Sequence, residues 1–334
     1  MRLFPILSTY LRALVAVWLK PTAAVIALVV ALVAAMLVPS VALADEWGQS
    51  WISHPSADST EQVLFRREIV IAEKPTVAHV AVASAGLFAL YVNGYNVSTD
   101  VLEPGASLGG DTVAVAHYEV ARYLHAGSNA LAVWYSPTGH CPKTDRQLSL
   151  TLFASTDTRA TFACSTDSTW LCRTAGCRTL PNGDETIDAN RHDPSWAIDP
   201  TFTPEWLAAS EACSTSSVPL TDRWLWHMAR RVESIQQYKF FETVGSNSVC
   251  YLFPNSFDGW VRLTMRGMER GDTLTVNGLT YICSGETDEQ ACRRFTTAYS
   301  RSALVTLPAD RPLSCIMKVE AMDIGHYLHS SYSY

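Results

Sequence analysis

Beyond residue 44 the chain alternates apolar and polar positions in short runs, with no long stretch of helical periodicity. Thr76–Ala83 reads TVAHVAVA, Leu87–Val92 LFALYV, Ala130–Tyr135 ALAVWY and Gln147–Ala154 QLSLTLFA. Further on, Gly259–Met265 reads GWVRLTM and Cys315–Ala321 CIMKVEA. Period-two runs bounded by Gly, Asn, Asp and Pro predict half-buried β-strands. Asn93-Gly94 separates LFALYV from YNVS, and both residues tolerate positive φ, so a type I′ hairpin is expected there. Tyr118–Leu124 (YEVARYL) predicts a helix of one to two turns, with Gly127 just past its end. No fixed-period repeat is present, which argues against a propeller or solenoid. Ser214–Pro219 (STSSVP) is polar and reads as a linker. The expected division is residues 45–213, a linker at 214–222, and 223–334. Each part is long enough for its own core, so two β-sandwiches in series are expected. The stretch after Trp224-Leu225-Trp226 has no readable periodicity until Tyr251.

The N-terminus differs in kind. Arg2, Arg12 and Lys20 precede an apolar run from Ala23 to Val38, and Ala42-Leu43-Ala44 has the small-x-small pattern of a signal peptidase site. Residues 1–44 therefore read as a signal peptide cut after Ala44. The alternative is an uncleaved membrane anchor, since the run is about long enough to span a bilayer. Either way residues 45–334 are expected to be exported, to the periplasm, cell surface or medium. Membrane contact is expected only if the segment stays uncleaved.

Composition narrows the function classes. A length of 334 residues fits about two domains, and 17% charged against 48% apolar residues excludes a disordered solvating chain. The formal charge is −7, and taking away the leader's three cations leaves −10. No basic face is indicated, so no nucleic-acid partner is expected. All nine cysteines lie in the exported body, which suggests an oxidising compartment. Cys283 and Cys292 flank a polar loop and are expected to staple it; Cys172 and Cys177 are a second candidate disulfide. The odd count leaves at least one thiol over.

Several chemistries lack their motifs. There is no Gly-x-Ser-x-Gly elbow, His-Glu-x-x-His string, Cys-x-x-Cys pair or phosphate-binding Gly loop. Aromatics are the main resource, because an indole or phenol face can lie under a sugar ring. Trp51, Trp170 and Trp260 are expected in the core. Trp134 and Tyr135 end a strand and lead into the loop reaching His140, and loops at sandwich ends commonly hold ligands. These three residues are the first candidate sugar platform. Asn93 and Tyr95 at the hairpin tip are the second. Asp184, Glu185 and Asp188 form an acidic cluster. Paired carboxylates can hydrolyse a glycoside, but Glu185 and Asp188 leave opposite faces of an extended segment. A polar contact between domains is the expected role. Calcium is the ion such a cluster would hold, although the spacing matches no defined loop.

Taken in order, a set of segments resembles the non-catalytic front half of bacterial alpha-L-rhamnosidases. Trp51-Ile52 with Phe65-Arg66-Arg67 resembles the family's opening strand. Gly86–Gly94 (GLFALYVNG) is similar to its hairpin, and Leu102-Glu103-Pro104-Gly105 to its L-x-P-G turn. His117–Val120 with Leu124, Gly127 and Asn129, Thr166–Trp170 (TDSTW), and Glu185–Asn190 (ETIDAN) continue the series. Asn255–Leu263 (NSFDGWVRL), Arg266-Gly267 and Gly271-Asp272 extend it into the second part. The resemblance implies a galactose-binding-like jelly roll followed by a second β-sandwich. The expected fold class is thus all-β, two jelly-roll-type sandwiches in tandem after the signal or anchor helix. In that family an all-helical barrel carries the catalytic carboxylates, near an R-D-E-R-x-G-W-x-G-D string that this sequence does not contain. The resemblance implies an exported, non-catalytic carbohydrate-binding or accessory protein for rhamnose-containing glycans. Two alternatives stand beside it: a rhamnosidase-like glycoside hydrolase, as a fragment or a divergent enzyme, and a structural or adhesive surface protein.

Overall fold

The alternating runs fold as strands. In the computed structural model, residues 50–104, 113–138, 147–193, 195–198, 205–212, 220–222 and 228–328 are described. The signal or anchor segment, the Ser214–Pro219 stretch, His140, Cys141 and Cys213 lie outside them. The described residues are all-β, and their helical pieces are three-residue 3₁₀ turns such as Ala121–Tyr123. That turn replaces the longer helix expected at 118–124. Val113–Glu119 continues as a strand, pairing Tyr118 with Val80, and Val120 and Leu124 are buried beneath the turn. The sheet ladder thus claims the first half of the segment.

The first sandwich packs two sheets. One contains Val77–Ser84, Val113–Glu119 and Leu148–Ser155; the other contains Glu61–Ile71, Leu87–Val92, Gly127–Ser136 and Leu171–Thr179. Inward positions of both build one core, including Val63, Phe65, Val80, Val82, Leu131, Val133, Leu150 and Trp170. The spine is the antiparallel ladder from Val63↔Tyr135 to Ile71↔Gly127. The second sandwich is built on the 19-residue strand Ser248–Arg266, which pairs with Ala298–Thr306 and Ile316–Leu328. Its separate core includes Phe253, Phe257, Leu263, Met265, Leu274 and Val305. The stretch without readable periodicity forms Met228–Gln237 and Phe240–Thr243.

One short strand joins the two cores. Glu185–Asp188 pairs antiparallel with Leu171–Thr179 and parallel with Leu279–Ile282. Hydrogen bonding therefore runs without a break from one sandwich into the other, and the described residues belong to a single compact unit.

Candidate functional site

Successive side chains of a strand leave opposite faces, so Gly127–Ser136 serves two environments. Tyr135 enters the first core, while Trp134 leaves the outer face of the sheet. That outer face is covered. Leu64, Ala132, Ala175 and Cys177 from the sheet meet Trp196, Ala197 and Phe295 from elsewhere in the chain. The Arg294 guanidinium lies 4.1 Å from the centre of the Trp134 ring, and the His192 ring stacks on it at 5.6 Å and 27°. Trp196 and Phe295 approach Trp134 edge-on, each at 6.1 Å. The indole N–H donates to Gln62 Oε1 at 2.9 Å. Trp134 is 5% exposed and Tyr135 3%. Both stand at the end of the strand as expected, paired with Leu64 and Val63 in the last rungs of the ladder, but their side chains are buried on its two faces rather than open at a loop. The structure thus encloses the first candidate platform, and it does not describe His140.

The hairpin tip is open. Asn93 and Gly94 have φ of 51° and 80°, the type I′ conformation expected of Asn-Gly. The Asn93 amide is consumed by the turn. It donates to Tyr123 O (2.8 Å) and Asn129 Oδ1 (2.9 Å) and accepts from the Ala130 N–H (2.8 Å). Asn129 donates back to His125 O and Gly127 O, which fixes the neighbouring turn. On this braced base Tyr95 stands 65% exposed. It stacks on Tyr123 at 6.0 Å and 27°, and the Arg122 guanidinium lies 4.6 Å from the centre of the Tyr123 ring. Tyr123 and Arg122 sit in the segment read as a helix, so sequence reasoning did not place them beside Tyr95.

The acidic cluster lies on the joining strand. Glu185 is completely buried. Its carboxylate accepts the backbone N–H groups of Arg294 (2.9 Å), Phe295 (2.7 Å) and Thr296 (2.5 Å). Burial raises its pKa, and these hydrogen bonds oppose the rise. Asp184 faces Arg293 at 3.5 Å. Gly278 makes room for that pair, since a Cβ there would lie 2.0 Å from Asp184 Oδ1. Asp188 turns elsewhere and accepts from the Asn190 N–H and side-chain amide, each at 3.0 Å. Trp134 and Glu185, widely separated in sequence, are thereby linked through Arg294. Among the described residues no group of three or more His, Cys, Asp or Glu is placed to hold a metal ion.

The two expected disulfides are not formed; all seven described cysteines are free thiols. Cys172 faces the first core and Cys177 the outer-face cluster, on opposite sides of the sheet. Cys283 is enclosed in the second core, whereas Cys292 packs beside Trp260 and Ile324. Burial pushes the thiols of Cys172, Cys177, Cys283 and Cys292 up to about 12, as suits unreactive small hydrophobes.

Comparison with known proteins is consistent with this architecture. Residues 73–222 match the family model of the alpha-L-rhamnosidase N-terminal domain. Similar solved structures include the alpha-L-rhamnosidase of Dictyoglumus thermophilum, with a TM-score of 0.73, 18% identity, and coverage of 84% of this chain and 36% of that one. The Aspergillus terreus alpha-L-rhamnosidase gives 0.71 at 19% identity, covering 85% and 37%. The Streptomyces avermitilis enzyme, solved with L-rhamnose, gives 0.70 at 18%, covering 80% and 29%. A search of curated proteins finds no match. The chain thus spans about a third of the length of these enzymes. Residues 73–222 match the alpha-L-rhamnosidase N-terminal domain, and with the second sandwich they share the fold of a part of these enzymes.

Proposed function

We propose that this chain is an exported, non-catalytic carbohydrate-binding or accessory protein that engages rhamnose-containing glycans. The observation that carries this reading is the match of residues 73–222 to the rhamnosidase N-terminal domain. A structural relative solved with L-rhamnose supports the choice of sugar, and the cationic and apolar N-terminal segment supports export. The surface best suited to the role is the hairpin tip. Tyr95 offers an exposed aromatic face backed by Tyr123, Arg122 offers donors, and the Asn93–Asn129 brace holds the turn in place without its having to reorganise on binding.

Calorimetric titration of the full chain with rhamnose and rhamnose-containing oligosaccharides tests the proposal. The expected result is saturable heat, with the oligosaccharide heat reduced in a Tyr95→Ala/Tyr123→Ala chain. Absence of heat in the native chain overturns it. Repeating the titration with calcium and then with chelator asks whether an ion takes part. Turnover of a rhamnoside by the purified chain would replace this reading with the hydrolase alternative.

A further inference from the structure

A small cavity lies where the two sandwiches are stitched together. It has a volume of about 190 Å³ and is bounded by Glu61 and Arg178 from the first sandwich, Asp188 and Arg191 from the joining segment, and Ile282 from the second sandwich. A water needs only about 10–15 Å³ of such space, so the cavity admits a larger guest than one solvent molecule.

The backbone brings two arginines to the edge of this largely apolar space. Gly176 has φ of 72°, and a Cβ there would lie 2.6 Å from Arg191 Cβ. Glycine therefore lets the Arg191 side chain lie against the strand, where its Nη2 donates to Thr174 Oγ1 at 2.9 Å. Arg178 is held by Asp58 at 3.1 Å and Glu61 at 3.3 Å. Both hydrogen bonds to Asp188 fall on Oδ1, which leaves its Oδ2 available.

The lining balances two guanidinium groups against two carboxylates. The set therefore presents no excess charge of either sign for an ionic guest to neutralise. A neutral polyol suits both signs, because a hydroxyl donates to a carboxylate and accepts from a guanidinium. Ile282 supplies an apolar wall. We propose that this cavity is a binding site for a single neutral sugar residue. It is separate from the hairpin tip: the cavity lies at the Leu171–Thr179 strand and the tip four strand positions away in the same sheet, a separation of about 20 Å at ~4.8 Å per strand. The choice of a sugar over other neutral polyols rests on the carbohydrate reading above.

Saturation-transfer NMR on the full chain tests the assignment, with L-rhamnose as the neutral probe and a uronic acid and an amino sugar as charged probes. Asp188→Asn keeps an acceptor for the Asn190 N–H, and Arg191→Ala removes an exposed side chain, so both variants are expected to fold; melting curves check this. The expected result is transfer to L-rhamnose in the native chain, with affinity at least about tenfold weaker in either variant, as loss of a charged hydrogen-bond partner implies. Three results would overturn the proposal: no transfer in the native chain, affinity unchanged in both variants, or tighter binding of a charged probe. The Tyr95→Ala chain separates this site from the tip. Oligosaccharide binding that ignores Tyr95→Ala sinks the tip and leaves the cavity standing, whereas rhamnose binding that depends only on Tyr95 does the reverse.

Discussion

Two aromatic clusters grow from the same sheet of the first sandwich and meet opposite fates. Around Trp134 the outer face is closed by Trp196, Phe295, His192 and Arg294. At the end of the adjoining hairpin, Tyr95 stacks on the half-buried Tyr123 and remains open to solvent. Both clusters combine aromatic rings with an arginine, so composition does not separate them. What separates them is distance from the joining strand. The loop carrying Arg294 and Phe295 is held by Glu185, and it reaches the sheet where Trp134 stands. An aromatic with both faces occupied contributes to stability, and one with a free face is available for recognition.

The largest expected effect tests the closed cluster. Trp134→Ala should cost about 3–5 kcal/mol of stability, the usual price of emptying a buried indole site. Chemical denaturation monitored by circular dichroism would measure it. A cost under about 1 kcal/mol would mean that Trp134 is in practice exposed, and the contrast between the two clusters would collapse.

Next in size is the anchor that closes the cluster. Glu185→Ala should cost about 1–3 kcal/mol, because backbone N–H groups of Arg294, Phe295 and Thr296 lose their acceptor. Glu185→Gln should also destabilise, since its amide nitrogen would confront an N–H donor. Hydrogen exchange gives the sharper readout. The 294–296 amides should lose protection in both variants, while amides of the Glu61–Ile71 ladder keep theirs.

A third test uses acid. His54 is nearly buried, and its Nδ1 accepts the N–H groups of Ser56 (3.1 Å) and Ala57 (2.9 Å), a role open only to the neutral ring. Burial lowers its pKa below 6.5, with Glu61 opposing the shift. Partial loss of solvent where the His192 ring stacks on Trp134, with Arg294 and Arg173 close by, lowers that of His192 as well, although the residue stays partly exposed. For a base with a depressed folded pKa, the unfolded chain binds more protons in the window below 6.5. The stability that the neutral rings contribute is therefore present above 6.5 and lost as pH falls through the folded values. Denaturation midpoints should fall on acidification through that window, and His54→Asn, which retains an acceptor, should flatten the fall. A midpoint that rises over the same window would contradict both assignments.

How much of this contrast was legible in the sequence follows from the range of the interactions. Strand identity is local: the LFALYV and ALAVWY alternation and the Asn93-Gly94 turn depend on neighbouring residues, and the structure has strands and a type I′ turn there. Which side of Trp134 faces outward is also local. What covers that side is not, because Arg294 and Phe295 arrive more than a hundred residues later. The same limit explains the cysteines. Cys283 and Cys292 are close in sequence, yet each is claimed by a different apolar cluster. Tyr123 illustrates another failure. The YEVARYL string carries helix-like spacing, but ladder bonds from Val77–Ser84 draw its first half into a strand and leave Tyr123 at the turn beside Tyr95.

The smallest expected effect on stability decides the functional half of the contrast. Tyr95 is mostly in water, and the Asn93 amide that shapes the turn does not depend on its ring. Tyr95→Ala should therefore change stability by no more than about 0.5 kcal/mol. If the tip is a sugar platform, the same substitution removes one aromatic face, and oligosaccharide retention on affinity electrophoresis should drop while the melting curve stays in place. Tyr95→Phe separates ring stacking from the hydroxyl: retention kept in Phe and lost in Ala assigns the ring. Equal retention in all three chains would leave Tyr95 as ordinary surface, and an open aromatic would then be no better a guide to ligand binding than the closed one.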